Sequence, residues 1–564
     1  MHPREAWRAA VVAVPLWWCA ADVLAVAFRV SSADIQVGPR WDGLKASTTP
    51  DTAAHQGGGT RDRALSSLKQ GRALLEANDL DGARSYIEAA LARDPASAEA
   101  HLLLGRVWER LKDFAAAAAS YSKAIDHAPR MAEARDRLGF VLGQQGQTRE
   151  AISRFEQAVE LDPGFFDAQY HLGATRWWTR DFAGALPALQ AAVKLRPDHA
   201  EARYYLGLIL ESHGRLEPAI EQLREAVRLN PRLAVAQARL GIALEAFGDL
   251  DGAIAHLEAA VRLDPSAADA RNNLGLALSH KGRGEDAVSV LQQLVEAQPT
   301  HTPARLNLGT ALMQQGNLAG AVTVYRALIE LDPVHAEAFY NLGLALKQQD
   351  EFAAAEIELR HAARLDPALP EAPFTLGVVL WQTGRADEAA QQFRDALARK
   401  PDYADAHYML GTVLRQQGAL SEAVSLFQKA IKYRPTSAEA HRSLGQALKQ
   451  QGQEQAAEAE LAEADRLDRR TADAQASTFA VSVGLQKLQA GDHAGAIERF
   501  RAAVRLAPEN PQAHYQLALA LRQRGARAEA GIHFAEARRL APHLRPPVDK
   551  PSTPPRKPRA PGVP

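Results

Sequence analysis

Apolar residues recur along the chain at helical spacing, and prolines interrupt them at regular intervals. Ala151, Ile152, Phe155 and Ala158 occupy one face of a helix, which predicts an amphipathic α-helix. A proline follows every second segment of this kind and ends it, because proline lacks an N–H group and clashes with the preceding turn. Successive prolines are 34 residues apart: Pro95, Pro129, Pro163, Pro197, Pro231, Pro265, Pro299, Pro333, Pro367, Pro401 and Pro435, and later Pro508 and Pro542.

A fixed period of 34 residues indicates a repeat protein. We number each repeat so that this proline is position 32, which places the start of the first repeat at Ala64. Position 8 is glycine in 13 of 14 repeats and Ala518 in the last, and position 20 is always alanine. Small residues at these positions allow two helices to approach closely. Glycine at position 15 of ten repeats suits the left-handed end of the first helix.

This pattern resembles the tetratricopeptide repeat family, whose helix–turn–helix units stack side by side. The resemblance implies an all-α fold, a right-handed superhelical solenoid of about 14 repeats over residues 64–544. One departure is position 4, where the family favours tryptophan and this chain often has His101, Arg203, Arg305 or His441. The other is Arg469 at the proline position, followed by five additional residues, which predicts a longer helix or a bend.

These observations divide the chain into repeats 1–12 at 64–471 and an insertion with repeats 13–14 at 472–544. Residues 1–27 resemble a bacterial secretory signal peptide, because two arginines precede an apolar stretch and an A-x-A cleavage pattern. Cleavage predicts export, to the periplasm or beyond. The alternatives are an inner-membrane anchor and a cytoplasmic protein, although Asp22 disfavours a stable membrane span. A polar linker at 28–63 and a disordered, proline-rich basic tail at 545–564 complete the division.

Composition narrows the possible functions. The 66 basic and 67 acidic residues leave a net charge of −1, which argues against a nucleic-acid partner. The single cysteine, Cys19, excludes an intramolecular disulfide framework and a cysteine-based zinc site. No phosphate-binding loop or hydrolase motif occurs, and the 18 histidines do not group at metal-ligand spacing. We therefore predict no cofactor, no metal site, no catalytic residues and no enzymatic activity.

Candidate ligand contacts follow from the resemblance, which implies that first helices line a concave groove through positions 2, 5, 6, 9, 12 and 13. Position 6 is asparagine in three successive repeats: Asn273, Asn307 and Asn341. Their amides can donate to the C=O groups and accept from the N–H groups of a bound peptide. The alternative is that water solvates them.

Aromatic and basic residues extend this candidate surface. Exposed aromatics often anchor partners, although packing within the helix pair is the alternative here. Lys347, Arg415 and Lys449 at position 12 can meet acidic groups of a ligand. The aromatic candidates are Tyr170, Tyr204, Tyr340, Phe374 and Tyr408 at position 5, with Trp177 and Trp381 at position 12.

The predicted function is a non-enzymatic interaction scaffold that binds peptides or partner proteins in the groove. The alternative is a substrate-recruiting subunit of a separately encoded enzyme, such as a glycosyltransferase or an envelope-biogenesis complex. A membrane partner follows only if residues 1–27 remain uncleaved. The identity of the partner and the oligomeric state are left open by the sequence.

Overall fold

The structure is a computed structural model that describes residues 58–544 and 546. This part of the chain contains 27 helices and no strand, so the predicted all-α class is confirmed. None of the helices in this part is long and apolar enough to cross a membrane. The predicted signal peptide, nearly all of the predicted tail and residues 28–57 of the predicted linker lie outside the described residues. Helix α1 starts at Gly58, so the last six residues of the predicted linker are helical.

The chain divides into two compact units, residues 1–246 with 255–265 and residues 247–254 with 266–564. Helices α1 to α10 of the first unit are the pairs of repeats 1–5. Their bounds are Gly58–Glu76, Leu80–Leu91, Ala98–Arg110, Phe114–His127, Ala132–Gln144, Thr148–Leu161, Phe166–Trp178, Phe182–Leu195, Ala200–Ser212 and Leu216–Leu229. Repeat 6 consists of α11 and α12, which are Ala234–Phe247 and Leu250–Leu263.

The second unit contains repeats 7–14. Helices α13 to α23 again alternate between first and second helices, and α24 is longer than the others. The bounds of α13 to α20 are Ala268–His280, Gly284–Ala297, Thr302–Gln314, Leu318–Leu331, Ala336–Gln348, Phe352–Leu365, Glu371–Gln382 and Ala386–Arg399. Those of α21 to α27 are Ala404–Gln416, Leu420–Tyr433, Ala438–Gln450, Glu454–Gln489, His493–Leu506, Pro511–Gln523 and Arg527–Leu540.

Glycine at position 8 allows the two helices of a repeat to approach closely, as predicted. A Cβ atom added to Gly105 would lie 2.5 Å from Cε1 of Tyr121, and one added to Gly309 would lie 2.4 Å from the same atom of Tyr325. Both tyrosines occupy position 24 and are fully buried. The glycine therefore makes room for the buried side chain at position 24 of the same repeat.

Position 15 has a positive φ angle in every repeat, which confirms the predicted left-handed helix end. Ten of these residues are glycines, such as Gly146 with a φ of 78°. In the other four repeats a residue other than glycine adopts the same backbone conformation, with φ between 61° and 63°. These residues are Asn78, Lys112, Arg180 and Asp350. Only glycine adopts this region without a steric penalty.

The structure explains why position 4 departs from tryptophan. Its side chain forms a hydrogen bond with the carbonyl oxygen of the preceding position-32 proline, six residues earlier. The His101 Nε2–Pro95 O distance is 3.0 Å, and Arg203 Nε donates to Pro197 O over 2.6 Å. Because this carbonyl lies beyond the end of the second helix, in the turn between two repeats, the polar side chain at position 4 gives it a hydrogen-bond partner. The same bond occurs at Gln169, Gln237, Arg305, His407, His441 and His514.

Helix α24 runs without interruption through the position where proline is missing, so it is the second helix of repeat 12 and the first of repeat 13. Repeat 12 has exposed Glu458 and Asp465 at positions 21 and 28, whereas repeat 11 has half-buried Val424 and Ile431 there. The acidic residues leave no apolar face for another repeat to cover. All residues of 468–476 are exposed accordingly.

Candidate functional site

The predicted contact residues lie on first helices, in two groups that belong to different units. We call the position 5, 6 and 12 side chains of repeats 7–11, on helices α13, α15, α17, α19 and α21, the first-helix row. It contains Asn273, Asn307, Tyr340, Asn341, Lys347, Phe374, Trp381 and Tyr408. The other group, in the first unit, consists of Tyr170 and Trp177 on α7 and Tyr204 on α9.

The three asparagines are half-buried, and two of them already donate a hydrogen bond within the protein. Asn273 Nδ2 donates to Asp269 O of its own helix over 2.8 Å. Asn307 Nδ2 donates to Oδ1 of Asn272, on the preceding first helix, over 2.9 Å. Asn341 has no side-chain hydrogen bond within the described part of the chain. The side-chain oxygens of Asn273 and Asn307 and the whole amide of Asn341 can therefore still form hydrogen bonds with a peptide. Peptide binding by these asparagines stays a prediction.

The Asn272–Asn307 bond belongs to a recurring connection that the sequence analysis missed. Position 5 of one repeat bonds position 6 of the next, which places the partners 35 residues apart. Asp136 Oδ1 and His171 Nδ1 lie 2.6 Å apart in this way, and the Tyr340 hydroxyl bonds Thr375. Polar pairs separated by one residue more than the period were the signal that could have revealed it.

The aromatic rings of the first-helix row pack on the core on one side and remain half-exposed on the other. The Phe374 ring centroid lies 4.9 Å from that of Tyr403, and the Tyr408 centroid lies 5.9 Å from that of Phe427. Trp381 is half-buried against the same core. Burial raises the pKa of Tyr340, so its hydroxyl remains protonated at neutral pH. These rings offer a neutral, partly apolar surface.

In the first unit the aromatic candidates separate into buried and accessible residues. Tyr170 is 6% exposed, and its ring lies 4.9 Å from that of His199 and 6.1 Å from that of Tyr205. Burial also raises its pKa. Tyr170 is therefore a packing residue, because its ring is covered on all sides. Tyr204 and Trp177 are half-exposed beside Tyr205.

Position 12 carries opposite charges in the two units. In the first unit, Glu109 accepts from Arg137 over 3.3 Å and Glu211 accepts from Arg239 over 2.8 Å, each arginine coming from the next repeat. In the second unit, half-buried Lys347 has no carboxylate within 4.0 Å among the described residues. Burial lowers the pKa of this ammonium group. Lys347 is therefore a cation that its own protein does not neutralise.

A buried charged cluster occupies repeats 2–4, and its members interact mainly with one another. Tyr121 OH donates to Glu109 over 2.6 Å, next to Arg137 and the Asp136–His171 pair. Among the described residues, no three histidine, cysteine or acidic side chains are grouped so that they could hold a metal ion. The cluster links successive repeats through their first helices.

Family models match most of the repeat array. The tetratricopeptide repeat model matches residues 68–132, 137–177, 175–234 and 484–544, and a second TPR repeat model matches 246–282. Residues 270–480 match the model of the cilia and flagella-associated protein 70 C-terminal domain. The chain is a tetratricopeptide-repeat protein. Tetratricopeptide-repeat proteins are in general non-enzymatic. They are protein–protein interaction scaffolds, and the repeats of this chain support an interaction scaffold in that general sense.

Many solved tetratricopeptide-repeat structures resemble parts of this chain. YrrB, a TPR protein with an unusual peptide-binding site, is 26% identical over 33% of this chain and 96% of its own, with a TM-score of 0.31. MamA from Desulfovibrio magneticus RS-1 is 26% identical over 30% of this chain and 96% of its own, with a TM-score of 0.28. The APC/C hetero-tetramer Cut9–Hcn1 is 16% identical over 81% of this chain and 96% of its own, with a TM-score of 0.32. No curated protein sequence matches the chain.

Proposed function

We propose that this tetratricopeptide-repeat protein binds extended segments of partner proteins along the first-helix row of repeats 7–11. The observation that carries the proposal is the row itself. Half-exposed rings, amide groups and an ammonium group without an ion-pair partner among the described residues lie on successive repeats. The rings pack on the buried hydrophobic core on one side, and a partner can reach their solvent-exposed side.

The polar groups of the row have the chemistry that a peptide backbone requires. The Asn341 amide can donate and accept, and the side-chain oxygens of Asn273 and Asn307 can accept from backbone N–H groups. Tyr340, Phe374, Trp381 and Tyr408 would cover apolar side chains of the bound segment. Recognition of the backbone by amides tolerates many partner sequences, which suits a scaffold.

The proposed role is non-enzymatic. In the cluster of repeats 2–4, Tyr121 and Arg137 both donate hydrogen bonds to Glu109, so these ionisable groups are engaged with one another. A catalytic partner would therefore supply any chemistry, as in the recruiting-subunit alternative.

The test compares the wild-type chain with the triple variant Asn273→Ala, Asn307→Ala and Asn341→Ala. A partner captured on the wild-type protein is purified, and its affinity for both proteins is measured by calorimetry. Each lost hydrogen bond contributes about 0.5–1.5 kcal/mol, so we expect binding to weaken roughly tenfold or more. Unchanged affinity would place recognition outside the asparagines.

Circular dichroism and urea unfolding separate loss of binding from loss of structure, because Asn307 also joins two repeats. A second variant, Trp381→Ala, removes an aromatic contact of the row without touching the asparagines. Its matched control is Trp178→Ala, because Trp178 is an exposed tryptophan on α7 outside the row. Equal loss of affinity in both tryptophan variants would contradict the proposed location.

A further inference from the structure

Position 13 is glutamine in five consecutive repeats of the second unit. Each glutamine is the last residue of its first helix, on α15, α17, α19, α21 and α23. All five side chains are exposed, and none forms a hydrogen bond with another residue in the described part of the chain. An amide can donate and accept at the same time, so every repeat presents one free polar group of the same kind. This glutamine row consists of Gln314, Gln348, Gln382, Gln416 and Gln450.

Uncompensated positive charge accompanies the glutamine row at the neighbouring position 12. Lys347, Arg415 and Lys449 occur there in repeats 9, 11 and 12, and no carboxylate lies within 4.0 Å of them among the described residues. The hydrogen bond of Arg415 goes to neutral Gln446 Oε1 over 2.6 Å. This differs from the first unit, where position-12 glutamates form ion pairs within the protein.

The nearest row of acidic side chains on the same helices lies at the opposite helix end. Position 2 is acidic in repeats 9–12, and ten residues of helix place it about 15 Å from position 12. The Asp405 carboxylate is already paired with Arg434 over 2.7 Å. The first helices therefore carry basic side chains near their C-terminal ends, beside the glutamine row, and acidic side chains near their N-terminal ends. The acidic residues are Glu337, Glu371, Asp405 and Glu439.

The spacing of the glutamine row matches an extended peptide. First helices of successive repeats contact each other, as α15 does α17 and α17 does α19, so equivalent side chains are about 10 Å apart. A peptide in the extended polyproline II conformation rises about 3.1 Å per residue and has three residues per turn, so one turn spans about one repeat. Every third side chain of such a peptide points in the same direction and would meet an equivalent glutamine.

We propose that the glutamine row and its basic neighbours bind an internal, extended, acidic segment of a partner protein. This rests on the proposed function and specifies the chemistry of the partner. Position 12 contains Met313, Lys347, Trp381, Arg415 and Lys449 in repeats 8–12. The complementary segment has an apolar, an acidic, an apolar and then two acidic side chains, each three residues after the previous one, in either chain direction.

The probe is a fluorescent synthetic peptide of about 13 residues with both ends blocked, so that only side chains carry charge. It has Leu, Glu, Phe, Glu and Glu at every third position and Ser or Thr elsewhere, and fluorescence anisotropy reports its binding to the full chain. We expect binding that weakens as salt is raised. A peptide with lysine in place of glutamate, and one of the same composition with its three glutamates adjacent, should each bind at least about tenfold more weakly.

The protein variant that tests the basic residues is Lys347→Gln with Arg415→Gln and Lys449→Gln. Three charge pairs at the protein surface together account for about a tenfold loss of affinity. The matched control is Arg364→Gln with Arg394→Gln and Lys429→Gln, which removes the same charge from exposed positions on the second helices α18, α20 and α22. We expect the control to bind the probe as the wild type does.

Three outcomes of the probe measurements would overturn the proposal. The first is equal binding of the glutamate and lysine peptides, and the second is equal binding of the spaced and adjacent glutamates. The third is tight binding of a single-stranded oligonucleotide that the Lys347, Arg415 and Lys449 variant abolishes, because the basic residues would then serve nucleic acid. The two proposals can fail separately: a captured partner that loses affinity only in the asparagine variant would refute the acidic segment and leave the proposed function intact.

Discussion

His171 Nδ1 lies 2.6 Å from Asp136 Oδ1, and both side chains are buried at the junction of repeats 3 and 4. One carboxylate oxygen of Asp136 therefore meets the imidazole, and the other, Oδ2, is buried without a hydrogen-bond partner. Because an isolated buried charge is strongly unfavourable, each member of the pair lowers the free-energy cost of burying the other.

We predict that His171→Leu destabilises the protein by about 3–5 kcal/mol, since it leaves the Asp136 carboxylate without its imidazole partner. The double variant Asp136→Leu with His171→Leu should recover most of that loss. The junction of repeats 1 and 2 supports this expectation, because Leu68 and Leu103 are buried at the equivalent positions 5 and 6. Urea unfolding of the single and double variants measures both effects. A double variant as unstable as the single one would show that apolar packing cannot replace the pair here.

The second prediction concerns two glycines of the same helix, α5. A Cβ atom on Gly139 would lie 2.8 Å from Phe155 Cε1 and 3.0 Å from the Ala151 carbonyl oxygen, whereas one on Gly143 meets nothing closer than 3.9 Å. We expect Gly139→Ala to destabilise the protein by about 1–3 kcal/mol through overpacking. Gly143→Ala should stabilise it by up to about 1 kcal/mol, because alanine favours the helix. Thermal or urea unfolding compares the two variants, and equal effects would contradict the close approach at position 8.

Close helix approach could be predicted from the sequence because it requires small residues at fixed positions, and Gly105 and Ala117 recur with the period. The side chain that packs against the glycine could not be predicted, because position 24 holds different residues, such as Ile87, Tyr121 and Leu189. Leucine, isoleucine, phenylalanine and tyrosine all fill that space, so no single residue type marks the position.

Contacts between repeats were harder to predict for a different reason. Asp136 with His171 and Asn272 with Asn307 share a geometry but no residue type. The period reveals positions that are equivalent in each repeat, whereas these bonds join two different positions of successive repeats. The asparagines illustrate the consequence: their repetition indicated a surface feature, and the structure shows two of them donating within the protein.

The third prediction concerns Lys112 and Arg180, exposed residues with positive φ angles at position 15. Replacement by glycine removes the steric penalty of the left-handed conformation, which exceeds the entropy that glycine adds to the unfolded chain. We expect Lys112→Gly and Arg180→Gly each to stabilise the protein by about 0.5–1 kcal/mol. Gly146→Ala is the reverse control, since no atom lies within 4 Å of its added Cβ and only backbone strain remains. A stabilised Gly146→Ala variant would be incompatible with this explanation.

The fourth prediction concerns export, which is expected from Arg4, Arg8, the apolar stretch and the Ala25, Val26 and Ala27 pattern. We expect the mature protein to begin at or near Phe28 and to lie outside the cytoplasm. Mass spectrometry of the N-terminal peptide of native protein, after cell fractionation, measures both properties. Cytoplasmic protein that retains Met1 or His2 would refute the prediction.

The last prediction uses the histidines at position 4. Burial lowers the pKa of His101 and His407, although the bond from each Nε2 to a proline carbonyl raises it in part, and Lys123 and Lys429 lower it further. The Nδ1 atoms of both rings are buried without a hydrogen-bond partner. The folded protein therefore favours the neutral rings.

A histidine whose folded pKa is lowered binds more protons in the unfolded chain, so its contribution to stability is complete above about pH 6.5 and is lost as pH falls below it. Glutamine makes the same hydrogen bond at Gln169 and Gln237, with N–O distances of 3.2 and 3.1 Å, but it does not titrate. We therefore expect His101→Gln with His407→Gln to preserve stability at pH 7.5 and to lose less stability than the wild type between pH 7 and pH 5. Urea unfolding across this range measures the free energy of unfolding of both proteins. Titration of the carboxylates affects both equally, so it cancels in the difference between them. Parallel pH profiles for the two proteins would mean that these rings do not contribute to acid sensitivity.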